Sequence, residues 1–384
     1  MADRTRQPVP LAGPDLCAEH ARLDEDGGVH PVRLPDGAAA WLVTGYQRVR
    51  TALADPVLSL DKKHARGYAG FSLPAALDAN LLNMDPPDHT RIRRLVGHAF
   101  TTRRVEGLRP AVSRVAEDLL DAFPAHGPAD LVAGYTGPLP VTVICDLLGV
   151  PPDARGDFRG WTNTMLTASP PDPAAIRDAI RQLHGYFTDL LAQKRRQPGE
   201  DLLTALLAAR DEGDRLTEDE LMSLAFLILF AGYENSVSLI TTMVMHLLAH
   251  PETLAAVRAD PDRLPAAVEE TLRLYPPAPV AIRRFPTRDV TIDGTRIPAG
   301  DTVLLSLAAA NRDPDPARTG GTHLSLGHGI HYCVGAPLAR MEAELAVGTL
   351  LRRLPGLALA VPVADLRWRP SFRTLGLLDL PVTW

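Results

Sequence analysis

The sequence predicts a mainly α protein with small β-sheets and one long central helix. Three observations predict it. Helical periodicity dominates from about residue 85 to about residue 350. A Thr217-x-x-Glu220 capping box opens a helical pattern that meets no proline until Pro251. Strand-like runs are short and confined to 29–34, 39–43, 290–292, 302–305 and the C-terminal 357–384.

Each element has a local cause. The first two strands are joined by Pro35-Asp36-Gly37, a turn-forming triplet. A short helix over 45–54 stops at Asp55-Pro56, because proline disfavours helical backbone in the residue before it. Residues 59–82, with Gly67, Gly70 and Pro74, read as a long loop, a common place for function. Helices follow over 110–123, 140–148, 174–196 and 201–210, the first two opening on proline, which suits the first helical turn. The central helix then runs for about 32 residues, roughly 48 Å at 1.5 Å each. Its middle is apolar all round, so it is expected to cross the core. Glu234 and Asn235 interrupt that apolar middle, and an unpaired buried polar group costs about 1–3 kcal/mol, so both need a reason to be there. Later turns fall at Asp293-Gly294 and Pro298-Ala299-Gly300. No repeat, low-complexity tract or linker divides the chain, so one domain over residues 1–384 is expected.

Composition narrows the classes. Hydrophobic residues make up 46% and charged residues 22%, which suits a globular core. A net charge of -6 argues against a nucleic-acid partner. The N-terminus MADRTRQPVPLAGPDL has no apolar signal core, and the most apolar run, within LMSLAFLILFAG, is short of the ~20 residues a bilayer span needs. No membrane association and a cytoplasmic location are the expectation. Three cysteines form no disulfide framework. Cys17 lies in a polar stretch, and Cys145 in VTVICDLLGV reads as a small buried hydrophobe.

Cys333 differs. It sits in GHGIHYCVGAPLAR, bracketed by Gly327, Gly329 and Gly335, which allow tight backbone and close approach to a flat ligand. Pro337 suits the first turn of a helix continuing through Arg340 and Glu342, so Cys333 falls just ahead of a helix N-terminus, where N–H groups favour a thiolate. A thiolate in such a nest suits iron. Read from these residues alone, a buried cysteine in a glycine-rich turn remains open, as does a nucleophile beside His328 or His331. Zinc is disfavoured, since no second cysteine lies near.

The segment Leu326-Gly327-His328-Gly329-Ile330-His331-Tyr332-Cys333-Val334-Gly335 resembles the haem-binding loop of the cytochrome P-450 family, Phe-x-x-Gly-x-x-x-Cys-x-Gly, and its extension Ala-Pro-Leu-Ala-Arg is typical of the soluble bacterial class. Leu326 replaces the usual Phe. The resemblance implies a triangular, mainly α prism with haem b between the central helix and the Cys-side helix, Cys333 as the iron ligand, and O2 as co-substrate. It also implies that His89 and Arg93, four apart in NMDPPDHTRIRRLVGHAF, bind haem propionates together with Arg284 and His331. Glu270 and Arg273 in AAVEETLRLYPP match the family's structural ion pair, with Arg318 as the expected third member in a shortened meander.

On the central helix the family pattern Ala-Gly-x-Asp/Glu-Thr reads here Ala231-Gly232-Tyr233-Glu234-Asn235-Ser236. Gly232 is expected to let the helix open near oxygen, and Glu234 to be the acid. Asn235 replaces the Thr, and an amide does not relay a proton as a hydroxyl does. Either Asn235 holds a water, or Ser236 substitutes, or the substrate supplies the hydroxyl, or the reaction needs only hydrogen abstraction. The resemblance implies a monooxygenase that hydroxylates or epoxidises a small molecule, with natural-product tailoring as the setting. The alternative is oxidative C–C or C–N coupling or cyclisation of an aromatic or peptide substrate. Substrate contacts are expected from the 59–82 loop, Phe230, Tyr233, Val280, Ile282 and Leu375, with a lid over 166–187. Electrons are expected from a separate ferredoxin or flavodoxin with its NAD(P)H reductase, docking on Arg91, Arg94 and Arg340. A haem-free partner protein and a peroxide-driven enzyme are the rival classes.

Overall fold

The structure is a computed structural model that describes residues 7–8, 13–25, 27–35, 37–67, 78, 80–167, 172–208, 210–211, 214–314, 322–371 and 373–384. Its axis is the helix Glu218–Ala249, 32 residues long. Both arms of the capping box form: the Thr217 amide donates to Glu220 at 2.8 Å, and the Glu220 amide donates to the Thr217 hydroxyl at 3.3 Å. Glu218, Asp219 and Glu220 in the first turn complement the helix dipole. The rest of the helix is mostly buried in the largest hydrophobic cluster, between Pro138–Leu148 on one side and Ala336–Arg353 on another.

By length and composition this helix could cross a membrane, which corrects the expectation that its apolar run is too short; 61% of its apolar window is buried inside the protein. The sheets are small. Ala39–Val43 pairs antiparallel with Val29–Arg33 and parallel with Thr302–Leu305, tying the N-terminal region to the segment before the cysteine loop. Val290–Ile292 and Thr295–Ile297 form a hairpin whose two turn residues, Asp293 and Gly294, have φ of 49° and 74°. Positive φ at both positions matches the twist of the strands, which is why Asp-Gly sits there. Pro381–Thr383 pairs with Ala358–Leu359 and Ala129–Asp130.

Departures from the expected elements are local. The helix at 201–210 is shorter, Leu202–Ala208, because Arg210–Asp211 and Asp214–Arg215 pair instead. The 59–82 loop is more ordered than expected at its start: Leu58–Ser59 pairs with Phe285–Pro286, and Asp61 caps the short turn Lys62–His64. Residues 68–77 and 79 of that loop, and 168–171 of the expected lid, lie outside the described residues.

Candidate active site

The cysteine loop is held by backbone geometry. Gly327 and Gly329 have φ of 79° and 73°, a region side chains rarely adopt. A Cβ at Gly329 would also meet the Ala54 Cα at 3.4 Å, so the loop lies against the end of helix Tyr46–Ala54. The Cys333 amide donates to the Leu326 carbonyl at 2.8 Å and closes the turn. The amides of Gly335 and Ala336 donate to the Cys333 sulfur, and Ala336 begins helix Ala336–Arg353. Burial nevertheless pushes the Cys333 thiol up, against these amides, Arg93 and Arg340. The helix N-terminus is thus outweighed by burial, and a metal cation facing the sulfur would favour the thiolate.

Beside the loop, donors converge. His89 and Arg93 project from helix Asp88–Ala99. The His89 ring lies 4.2 Å from that of His331. Burial, then the charges of His89 and Arg284, hold His331 down at about 3. Burial pushes Arg284 down to about 10. Both ring nitrogens of His89 and the Arg284 Nε are buried without a partner, while Arg284 Nη1 donates to the Leu58 carbonyl at 3.1 Å. Arg93 donates to the Tyr332 carbonyl at 2.5 Å and interacts with Cys333. Buried donors left unpaired are costly. Asp85 acts on His89, His331 and Arg284, and Asp55 also on Arg284, but neither satisfies the orphaned atoms. An anionic group with a metal centre facing the sulfur satisfies both sets of atoms at once, so these residues fit a haem with its two carboxylates.

The polar run on the central helix divides. Glu234 is hydrogen-bonded by Thr374 and faces Arg369 and Arg373, with burial as the dominant effect pushing its carboxyl up. Asn235 is exposed, and its Nδ2 donates to the Ala231 carbonyl at 3.0 Å. Ser236 is buried and hydrogen-bonded to Glu342 of the Cys-side helix. Gly232 does not open the helix, which is unbroken from 218 to 249. A Cβ there would lie 2.7 Å from Ile144 Cδ1, so the glycine permits close packing of two helices.

Three of the expected substrate contacts are buried in hydrophobic clusters. Tyr233 is buried and its hydroxyl donates to Asn163 at 3.1 Å. Val280 packs with Val32, Leu42 and Leu304, and Leu375 with Leu16 and Ala308. Phe230 is half-buried and stacks on Phe226, while Ile282 is 46% exposed. Glu270 and Arg273 form a two-pronged pair at 2.6 and 2.7 Å, but the Glu270 side chain is 44% exposed, and Arg318 lies outside the described residues. The expected basic patch is not free: Arg91 pairs with Glu220 and Arg340 with Glu269.

Sequence reasoning missed two acids. Glu269 accepts from Arg340 at 2.6 and 3.0 Å and contacts His323 at 3.2 Å, while Arg340 also reaches the Tyr332 hydroxyl. Burial opposes ionisation, yet the His323 and Arg340 hydrogen bonds hold Glu269 down at about 2. Glu342 is 1% exposed, with Oε1 unpartnered. Its place between Met341 and Ala343 on a buried helix face was the available signal.

The family model described as Cytochrome P450 matches residues 170–316. The chain is 48% identical to cytochrome P450 monooxygenase PikC of Streptomyces venezuelae, over 97% of this chain and 92% of that protein. It is 41% identical to mycinamicin IV hydroxylase/epoxidase of Micromonospora griseorubida, over 97% and 96%. Among solved structures, the tirandamycin C-bound P450 monooxygenase TamI superposes with a TM-score of 0.87 at 44% identity, over 96% of this chain and 97% of that one. The family implies a haem-thiolate cofactor and use of O2. The chain belongs to the cytochrome P450 family and is a monooxygenase that hydroxylates or epoxidises a small organic molecule.

Proposed function

We propose that Cys333 is the axial thiolate of a haem b iron and that His89, Arg93, Arg284 and His331 hold the propionates, within one domain over residues 1–384. The observation that carries this reading is the convergence of buried, unpartnered donors of His89 and Arg284 beside the cysteine loop. Gly327 and Gly335 keep the loop clear of side chains, a Cβ at Gly335 lying 3.9 Å from the sulfur. Haem supplies, when bound, the activation of O2 and insertion of one oxygen atom. Glu270 and Arg273 brace the fold beneath.

On the other face, Asn235 orients a water or a substrate group through its amide. Its Nδ2 donates to the Ala231 carbonyl, which leaves Oδ1 available as an acceptor. Ser236 is the hydroxyl able to hold a transferable proton, with Glu342 behind it. Glu234, held by Thr374, is the second acid. Phe230 and Ile282 contact substrate. The substrate is a natural product undergoing tailoring, as the names of the mycinamicin and tirandamycin relatives support. Those names favour oxygen insertion over oxidative coupling. Electrons arrive from a ferredoxin or flavodoxin with its NAD(P)H reductase, in the cytoplasm.

Two measurements test this. The reduced, carbon-monoxide-treated protein is expected to show the thiolate-ligated absorption band, and Cys333→Ser is expected to lose it; a variant identical to wild type overturns the ligand assignment. Turnover in 18O2 is expected to label the product, and an unlabelled product overturns oxygen insertion.

A further inference from the structure

The donors beside the cysteine loop come from different parts of the chain, and one carboxylate joins two of those parts. Asp85 is half-buried, and its carbonyl accepts from the His89 amide at 3.0 Å, which places it on the approach to helix Asp88–Ala99, the helix of His89 and Arg93. Its side chain bonds a different segment. The Ser59 hydroxyl donates to Oδ2, and the Leu60 amide donates to Oδ1 at 3.2 Å. Ser59 is 1% exposed, and its oxygen also accepts from the Asp61 amide at 2.9 Å. One residue earlier, the Leu58 carbonyl accepts from Arg284 Nη1 at 3.1 Å. Leu58–Ser59 also pairs with Phe285–Pro286, the two residues after Arg284. A continuous path therefore runs from Arg284 through Leu58, Ser59 and Leu60 to Asp85, and from there to His89.

We infer that Asp85 is a positioning residue for haem binding: its two side-chain hydrogen bonds fix the strand that orients Arg284 against the helix that carries His89 and Arg93. The inference rests on the reading that these donors hold the haem carboxylates. Two effects of Asp85 on such a carboxylate have opposite signs. Its negative charge, which acts on His89, His331 and Arg284, also repels the incoming anion. Its hydrogen bonds keep the receiving donors in place, and displaced donors lose strength steeply with angle and distance. The bonds of Asp85 go to Ser59 and Leu60, while the His89 ring nitrogens and the Arg284 Nε are left without a partner. The carboxylate thus frames the cradle without filling it, so positioning is its contribution and its charge opposes haem.

Asparagine separates the two effects. Its amide oxygen can accept from the Leu60 amide and its nitrogen can donate to the Ser59 hydroxyl, so it keeps the joint and drops the charge. The test is haem transfer from the holoenzyme to an excess of apoglobin, for wild type, Asp85→Asn, Asp85→Ala, Arg284→Gln and the double variant Asp85→Ala with Arg284→Gln. Asp85→Ala is expected to release haem about tenfold faster, the equivalent of one displaced hydrogen bond. Asp85→Asn is expected to release it no faster than wild type. In the Arg284→Gln background, Asp85→Ala is expected to add less than about threefold, because its effect passes through Arg284. The reduced carbon-monoxide spectrum should keep its thiolate band throughout, since the sulfur side is untouched. The inference is overturned by unchanged release from Asp85→Ala, by Asp85→Asn releasing as fast as Asp85→Ala, or by full additivity in the double variant, which a merely structural role would give. If Asp85→Ala does not fold, Ser59→Ala, which removes one of the two bonds and keeps the charge, takes its place in the same cycle. Wild type that binds no haem would overturn the haem reading and this inference with it, whereas the other adverse outcomes overturn this inference alone.

Discussion

Arg284→Gln separates a haem-binding role for the donor cluster from a purely structural one. Arg284 is 4% exposed, donates to the Leu58 carbonyl, and has a buried Nε with no partner. Glutamine removes the charge but keeps an amide able to reach Leu58. If Arg284 faces a carboxylate, the loss is one charge-assisted hydrogen bond, about 1.5–3 kcal/mol. That is roughly 10–150-fold faster haem release at 1.4 kcal/mol per decade. The assay is transfer of haem to an excess of a scavenging apoglobin, followed in the Soret band. The haem-free protein should respond differently, because there Arg284 keeps the Leu58 carbonyl and the charges of Asp85 and Asp55 but has no carboxylate at its buried Nε. Its stability should change little, and His331 should titrate above about 3, since Arg284 is one of the charges holding it down. Unchanged haem release, or equal destabilisation of both forms, would refute the reasoning.

Two further substitutions address the frame around the site. Glu269 is held near 2 by His323 and Arg340, so its contribution is present above the ordinary carboxylate range and lost as pH falls from about 4.5 toward 2; acid unfolding of Glu269→Gln should lack that component, and an unchanged acid profile counts against it. Gly232→Ala pushes the Ile144 Cδ1 aside while gaining about 1 kcal/mol of helix propensity, so its net effect should stay within about 1 kcal/mol, and it should be stabilising when introduced into Ile144→Ala, where the space is open; the same effect in both backgrounds in urea melts would show that the glycine serves something other than helix packing.

Much of this fold is written in local signals. The central helix is bounded by Thr217, Glu220 and Pro251, and the hairpin at 290–297 by Asp293-Gly294, because caps and turns are decided by neighbours in sequence. The cysteine loop was legible for the same reason: its glycines and proline act within a few residues. What was not legible depends on distant partners. The family resemblance marks Tyr233 as a substrate contact, but only its contact with Asn163, 70 residues away, shows that it faces a neighbouring helix. Arg340 read as a surface cation until Glu269, 71 residues away, claimed it. Gly232 looked like a flexible point, and its reason is the Ile144 side chain on another helix.

The run 234–236 shows how such distant contacts redistribute chemistry. Successive helical residues point about 100° apart, so three adjacent polar side chains meet three environments. Glu234 turns to the C-terminal segment at Thr374, Asn235 to open space, and Ser236 to the Cys-side helix at Glu342. An amide nitrogen is the only Asn235 atom able to bond a carbonyl, which fixes its orientation toward Ala231 and leaves an acceptor oxygen outward. That oxygen can hold a donor but has no proton to give. On the proposed reading, an amide where the family has a hydroxyl moves proton-bearing capacity one residue along the helix, to the buried hydroxyl of Ser236.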